Sequence, residues 1–587
     1  MNLWLDGLSV LAGHAWAVVA ILLIILWGFL ITRGFLIRFF GEALTEADLL
    51  SISVSGWFMP ALFLSIVTFG ISLLFNALMR GIFSVVIILI SSFALIRKKL
   101  ALSHILVSMV FLTPSLILRF AFVTNMVLPS YFDSAEHYRL IDALTETYNS
   151  GIFFDSFQGM FYHLGFHLMA AFISHFMRVD ILDLLLVFGQ IILAVLPISF
   201  FFVVKHETDS TLAACFVCLL AGFGFHMPAH LMNWGKYPAL LGLPAMLFVF
   251  NLAYMASCRD TFKDRKQIFI LLGGAILAST LIHSRTLILF GLMFTTAIIT
   301  FYWSHLLKPH RILGFVILVT LFAVEIYIIH NNPTLKTLLD GYIKNDLWIL
   351  ALIFLLTIFA AACYLKWTFF LLTWLTLCGL GLFIPITLPI HGIQALLDRP
   401  FVQMFTYIPL SFLGGLGFAG VMQISRRLFP DLKLIQRSVP FILFGFILLN
   451  IARNYDFYPS DCCRFATRDD IAAFTWLDEN APADTNILIA STGLYVTSFE
   501  SSQTLTGVDA GIWIPPLLSR NVKLARKGIQ FNLADVHKDL CEQGIGYIYV
   551  GGMPESFNSL HLDNQPNWYV PVFTLPSAKV YQINCEP

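Results

Sequence analysis

Charge is what this sequence has least of. Only 12% of its 587 residues are Asp, Glu, Lys or Arg, against about 25% in soluble domains. The 35 basic residues balance 35 acidic ones, so no net field draws in nucleic acid, and none is expected as a partner. The first fifteen residues lack a basic stretch, and no small-residue cleavage site follows the first apolar run. The expectation is an anchor that stays, not a signal peptide that is removed. A convincing internal repeat is also missing. What is abundant is apolar surface: 58% of residues are hydrophobic and the mean hydropathy is +0.82. A water-soluble globule has too little interior to hide so many apolar side chains, so lipid is the expected solvent.

Apolar runs of roughly 16–24 residues, near the length of a membrane-crossing helix, recur at 14–32, 56–76, 82–96, 102–128, 161–177, 182–204, 211–227, 236–256, 268–283, 286–304, 312–330, 347–363, 368–388, 403–424 and 438–452. Basic loops read as cytoplasmic: Arg97-Lys98-Lys99, then Arg259 with Lys263, Arg265 and Lys266, then Lys308 with Arg311, and last Arg426, Arg427, Lys433 and Arg437. One crossing from the last cluster puts everything from Arg453 outside. One crossing from the first puts the acidic loop 129–160 outside as well. Parity between that loop and the cluster at 257–267 requires that one of four runs does not cross. The run 161–177, short and holding His163, His167 and His175, is expected to be re-entrant or interfacial. The predicted fold is a polytopic α-helical membrane protein of about 14 crossings, with 1–452 as the multi-span part and 453–587 as a small extracytoplasmic α/β domain.

In that tail, Thr467 is a good N-cap with Asp469 and Asp470 suiting the first turn of a helix that runs to about Glu479. Residues 487–490 and 545–550 read as strands, 534–543 as a helix stopped by Gly544, and 570–573 with 579–583 as a hairpin. Its acidic residues are expected on the solvated surface. Four cysteines, Cys462, Cys463, Cys541 and Cys585, allow three pairings, of which the vicinal one is strained and least expected; the alternative is four free, buried thiols. Cys215 and Cys218 read as helix packing.

Ionisable groups at membrane depth are costly and mark function. Tyr131-Phe132-Asp133-Ser134-Ala135-Glu136-His137-Tyr138 opens the outer loop, with an amphipathic helix from Ala135. Asp133, just before that helix, is either its cap or a general base for an acceptor hydroxyl. His163 and His167 are expected on one helix face. With His137 they raise a divalent metal as an alternative, but hydrogen-bonded structural histidines are commoner than ligands, and no cofactor is required. Lys236 and Tyr237 are an interfacial anchor or a phosphate grip. Arg285, beside His283, needs an anionic partner or room to snorkel. Asp398 and Arg399 are expected to pair with each other. Asp133 and His137 are the candidate catalytic residues. Glu136, Tyr138, His163, His167, Lys236, Tyr237, His283, Arg285, Asp398 and Arg399 are the candidate substrate contacts, all on the outer face.

These patterns resemble the GT-C superfamily of membrane glycosyltransferases, in particular a poorly characterised bacterial and archaeal branch. The likeness rests on Asp133 with His137, on Tyr162-His163-Leu164-Gly165-Phe166-His167, on Gly235-Lys236-Tyr237-Pro238, on Asp398-Arg399-Pro400, and on the tail from Asp470 through Trp476 and Asn480 to Pro482. The family's adjacent acidic pair is not matched, since Glu136 stands one turn on. The resemblance implies a sugar donor carried on polyprenyl phosphate, a membrane-lipid setting in the cytoplasmic membrane, an outer-face active site of the cell envelope and Asp133 as base. The competing classes are a transporter or flippase of a lipid-linked or anionic substrate, and a non-catalytic scaffold.

Overall fold

Long apolar runs have one way to satisfy their backbone in lipid, the helix, and helices dominate the computed structural model, which describes residues 2–41, 43–75, 82, 86, 112–152, 163–258, 265–388, 392–494 and 504–585. Among the described residues nine helices are long and apolar enough to cross a membrane: Ala15–Phe40, Glu46–Leu74, Ile181–Thr208, Tyr237–Ser257, Arg285–Ser304, Lys308–Asn331, Lys336–Cys363, Leu365–Phe383 and Arg399–Leu428. Tyr237–Ser257 is buried over 89% of its apolar window and Arg399–Leu428 over 83%, whereas Lys308–Asn331 is buried over 17%. The first two are the hub and the third is peripheral. Close approach at the hub needs small residues. A Cβ at Gly417 would collide with the Leu356 carbonyl oxygen, and one at Gly420 would lie 2.6 Å from that of Phe359.

The expected count of about 14 crossings is not reached by these nine helices. The helices at 165–177 and 211–223 have 13 residues each, or about 20 Å of rise, short of a hydrocarbon core of about 30 Å. Helix Lys433–Asn454 is as apolar on average as the spanning helix Arg399–Leu428, with Lys433, Gln436 and Arg437 near its start and Asn450, Arg453 and Asn454 at its end. The run 82–96 (save residues 82 and 86), the first part of 102–128, the cluster Arg97-Lys98-Lys99, the residues Arg259 and Lys263, and Tyr162 lie outside the described residues. A short antiparallel hairpin, β1 (Pro385–Leu388) with β2 (Gly392–Ala395), precedes the last hub helix.

The tail forms a six-stranded mixed sheet from β3 (Asn486–Leu494), β4 (Thr504–Gly507), β5 (Val522–Arg526), β6 (Ile545–Gly551), β7 (Tyr569–Leu575) and β8 (Ala578–Ile583), in the order β4-β3-β6-β8-β7 with β5 also on β3. Residues 487–490 are at most 2% exposed, as a central strand covered on both faces requires. Helix Arg468–Asn480 opens with a capping box between Thr467 and Asp470, and Gly544 takes φ +67° just past helix Ala534–Glu542.

Two expectations for the tail are corrected. Asp470 and Asp509 are fully buried, not solvated. Asp470 accepts from Tyr549 and from the Thr467 backbone, and Asp509 accepts from Ser556 and the Gly511 N–H. Burial pushes Asp509 up to about 6 despite those bonds. The cysteines pair as Cys541–Cys585 and Cys462–Cys463, so the vicinal bond, the least expected, is formed. The end of helix Ala534–Glu542 and the chain after β8 bring Cys541 and Cys585 to a Cα separation of 5.7 Å, while Cys462 and Cys463 lie together in the short helical turn Asp461–Cys463. The Cys541–Cys585 bond closes a separation of 44 residues. The double substitution Cys541→Ser with Cys585→Ser is expected to lower tail stability by about 2–4 kcal/mol. Chemical unfolding followed by Trp fluorescence in the full chain checks this; an unchanged tail transition would show that the bond constrains nothing.

Candidate functional site

Four helix starts converge on one place. The loop helix Tyr131–Ser150 begins there, as do Tyr237–Ser257, Arg285–Ser304 and Arg399–Leu428. Helix N-termini carry unpaired N–H groups and the positive end of the dipole. Asp133, Lys236, Arg285, Asp398 and Arg399 all lie within the first turn of one of these helices or next to it.

Asp133 is not a cap. The helix begins earlier than expected, at Tyr131, and the capping position falls to Ser130, whose side chain makes no cap bond. Asp133 therefore occupies the first turn, where its charge suits the dipole. Its Oδ2 lies 2.5 Å from Lys236 Nζ, with Asp133 21% and Lys236 37% exposed. This approach depends on Gly235, which holds φ +60° and sits so close that a Cβ would collide with Ser134 Oγ and come 3.0 Å from the Ser130 carbonyl oxygen. Tyr131 itself has φ +67°, a rare and strained conformation for a bulky residue. Its ring packs on Phe132 and on Phe465 from the tail, at 4.2 and 5.4 Å.

Arg285 forms an ion pair with Asp398 across 113 residues of sequence. Asp398 also accepts from the Phe401 N–H at 2.9 Å, capping the helix Arg399–Leu428. The expected Asp398–Arg399 pair is thus replaced. Arg399 donates to Thr337 Oγ1 at 2.6 Å and turns away toward helix Lys336–Cys363.

Imidazoles fill the space between. His137 Nδ1 and His167 Nε2 share a hydrogen bond of 2.9 Å. His163 and His283 rings lie 4.3 Å apart, and His283 stacks on Phe401 at 4.8 Å. His283 feels the charges of both Arg285 and Lys236, and Tyr131 those of Asp133 and Arg399, which ties the two ion pairs into one neighbourhood. His163 precedes helix Gly165–Met177 rather than riding on it, so the expected shared face with His167 is not formed. Burial, with Arg285 beside it, pushes His163 down to about 4. Burial, then His167, holds His137 well below the usual imidazole value. Both are neutral near pH 7 and serve as hydrogen-bonding groups. Among the described residues no group of three or more His, Cys, Asp or Glu is arranged to hold a metal ion, and the His137–His167 bond occupies one nitrogen of each ring.

Two sequence candidates, Glu136 and Tyr138, are drawn elsewhere. Glu136 stands one turn on from Asp133, but it is exposed and pairs with Arg139 at 2.7 Å, which holds it on the outer side of the loop helix. Tyr138 packs edge-on against Trp513 of the tail at 6.0 Å. Tyr237 stays at the site, buried, stacked on Phe166 at 5.6 Å and edge-on to His137 at 5.8 Å. The close approach of Gly235 was the feature sequence reasoning missed; the glycine before Lys236 was its only trace.

No protein-family model matches the chain, and no curated protein does. Among solved structures it is similar to the archaeal oligosaccharyltransferase AglB from Archaeoglobus fulgidus, in complex with an inhibitory peptide and a dolichol-phosphate, at 14% identity over 76% of this chain and 69% of that one, with a TM-score of 0.40. A likeness of that strength carries no argument about activity, and the chemistry of the site must be read from its own residues.

Proposed function

We propose that this chain is a membrane glycosyltransferase that moves a sugar from a polyprenyl-phosphate donor to an acceptor hydroxyl at the outer face of the cytoplasmic membrane. One observation carries the reading: two carboxylate–cation pairs, Asp133–Lys236 and Arg285–Asp398, stand in one neighbourhood where four helix N-termini meet. In the free protein each cation is neutralised by a carboxylate. A donor phosphate competes for Lys236 and Arg285 and is favoured further by the helix ends. Once Lys236 turns to phosphate, Asp133 is released as a base. The acceptor oxygen attacks the anomeric carbon, its proton passes to Asp133, and the bond to the phosphate oxygen breaks with the new charge held by Lys236 and Arg285. His137, bonded to His167 behind the loop helix, acts as a positioning residue in this scheme.

A second reading, transport of an anionic substrate, draws on Glu325, which is 5% exposed inside the span Lys308–Asn331 with neither carboxyl oxygen hydrogen-bonded among the described residues. Buried ionisable groups of this kind mark transport paths. Sugar transfer from a polyprenyl-phosphate donor by the purified protein in vesicles separates the two readings. Transfer supports the enzyme; donor movement across the bilayer without transfer supports the transporter.

The outer-face assignment has its own test. Arg426, Arg427, Lys433 and Arg437 lie before or at the start of helix Lys433–Asn454 and mark that end as cytoplasmic. A reporter active only in the cytoplasm, fused after residue 587, is expected to be silent. A bright reporter would put the tail inside and reject an outer-face site.

A further inference from the structure

Two carboxyl groups stand inside the tail with no cation paired to them. Asp470 and Asp509 are both 0% exposed. The tail's ion pairs among the described residues are Arg464–Asp461, Arg520–Asp478, Lys527–Glu555, Lys538–Glu542 and Lys579–Asp563, and neither buried carboxyl takes part. A buried charge without a counter-ion is costly. The two are also neighbours: Asp509 feels the charge of Asp470, and Tyr549 feels both while donating to Asp470. Like charges in one interior resist joint ionisation.

Asp509 is held from two sides. A Cβ on Gly511 would lie 3.0 Å from its Oδ1, and one on Gly551 would lie 3.1 Å from its Oδ2. Oδ1 accepts the Gly511 N–H at 2.9 Å. Oδ2 accepts from Ser556, whose Oγ in turn accepts the Gly551 N–H at 2.9 Å. Those donors favour the charged form, whereas burial and Asp470 favour the neutral one. The titratable groups next in line are Asp469, whose Oδ2 accepts the Ser577 N–H, and Glu555, which is paired with Lys527. Burial prevails and raises Asp509 from 3.8 to about 6, and it raises Asp470 as well. A carboxyl raised on folding binds its proton more tightly in the folded state. The stability it confers is fully present below about pH 3.8 and is lost as the pH rises to about 6. Asp563 works the other way: burial raises it, but the bonds from Tyr581 and Lys579 bring it below the ordinary value.

Both groups sit at the root of a contact with the loop helix Tyr131–Ser150. Asp509 caps the turn Ala510–Trp513, and Trp513 at the end of that turn meets Tyr138 edge-on at 6.0 Å. Asp470 lies in the first turn of helix Arg468–Asn480, just after Phe465, which packs on Tyr131.

We propose that Asp509 and Asp470 form a proton-binding pair through which the pH around the tail sets how firmly Trp513 and Phe465 hold the loop helix, most firmly in mild acid. The pair acts in this way whatever reaction Asp133 serves. The test is hydrogen exchange on the full chain in lipid nanodiscs, corrected for the intrinsic effect of pH, along Tyr131–Ser150 and Ala510–Trp513. Both segments are expected to be about tenfold less protected at about pH 7.5 than at about pH 5, the ratio that a rise from 3.8 to about 6 gives. Asp509→Asn keeps an acceptor for Gly511 and an amide that donates to Ser556, and it is expected to remove most of that dependence in both segments. Ser556→Ala takes a donor from the charged form and is expected to move the transition to higher pH; it decides the matter if Asp509→Asn fails to fold. Equal protection of both segments at the two pH values overturns the proposal. So does a full dependence kept by Asp509→Asn, or a transition that Ser556→Ala leaves in place. A response confined to Ala510–Trp513 overturns it too, because the pair then titrates inside the tail without reaching the loop helix.

Discussion

Asp133→Asn is expected to lower sugar transfer by about 10²–10⁴-fold while leaving the fold in place. The substitution keeps the size of the side chain and a hydrogen-bond acceptor but removes the charge and the basicity. Its structural cost is small, because Asp133 caps nothing and its pair with Lys236 is partly open to solvent, at 21% and 37% exposure, where such pairs contribute about 0–1 kcal/mol. A loss of rate far larger than the loss of stability therefore points to chemistry. The donor KM is expected to change little or to fall, since Lys236 no longer has a competing carboxylate. The measurement is kcat and KM for donor and acceptor in vesicles, beside thermal unfolding in the same lipid. Transfer at the unaltered rate would leave Asp133 as a first-turn charge with no part in the reaction, and the base would have to be sought among the imidazoles.

The Arg285–Asp398 pair is expected to split into two different phenotypes. Arg285→Met removes a phosphate grip and leaves Asp398, only 7% exposed at its side chain, without its cation. The donor KM is expected to rise at least about 30-fold, the equivalent of roughly 2 kcal/mol for a truncated charge contact. Stability is expected to fall by about 2–3 kcal/mol, less than for a fully buried pair because Arg285 retains access to water. Asp398→Asn behaves otherwise. Asn caps about as well as Asp, so the bond to the Phe401 N–H survives, and Arg285 is left free for phosphate. Donor KM is expected to hold or fall. Arg285→Lys is expected to lie between, since a point charge does not reproduce the guanidinium fork. Equal loss of donor binding in Arg285→Met and Asp398→Asn would mean that the pair only holds two helices together.

The sequence carried the tail's central strands because residues 487–490 and 545–550 are largely continuous apolar runs, and it carried the helix at 468–480 because Thr467 and Asp470 stand at capping spacing. It did not carry β4 and β5. Val522–Arg526 has a Lys and an Arg among five residues and only intermediate or exposed positions, so no apolar run marks it as a strand. At the candidate site the residue types were legible one by one, since charges in so apolar a chain are conspicuous. Their partners were not. Asp398 pairs with a residue 113 positions away instead of with its neighbour, and His167 meets His137 instead of sharing a face with His163. Adjacent residues at a helix start point in different directions, and only the packing of four helix ends decides which charges meet.

The packing of Phe465 on Tyr131 and of Trp513 on Tyr138 has a consequence for how the protein is divided. The apolar cluster under the tail's sheet, built on Phe474, Leu477, Ile489 and Trp513, also contains Leu128 and Ala135 from the membrane part, before and within the helix Tyr131–Ser150. The chain changes character near residue 453, but the interior does not. A tail cut there would lose part of its own interior and expose a greasy face, and the membrane part would lose the wall that braces the strained turn before Asp133. The two halves are better regarded as one body in which the tail is the splint for the loop that carries Asp133.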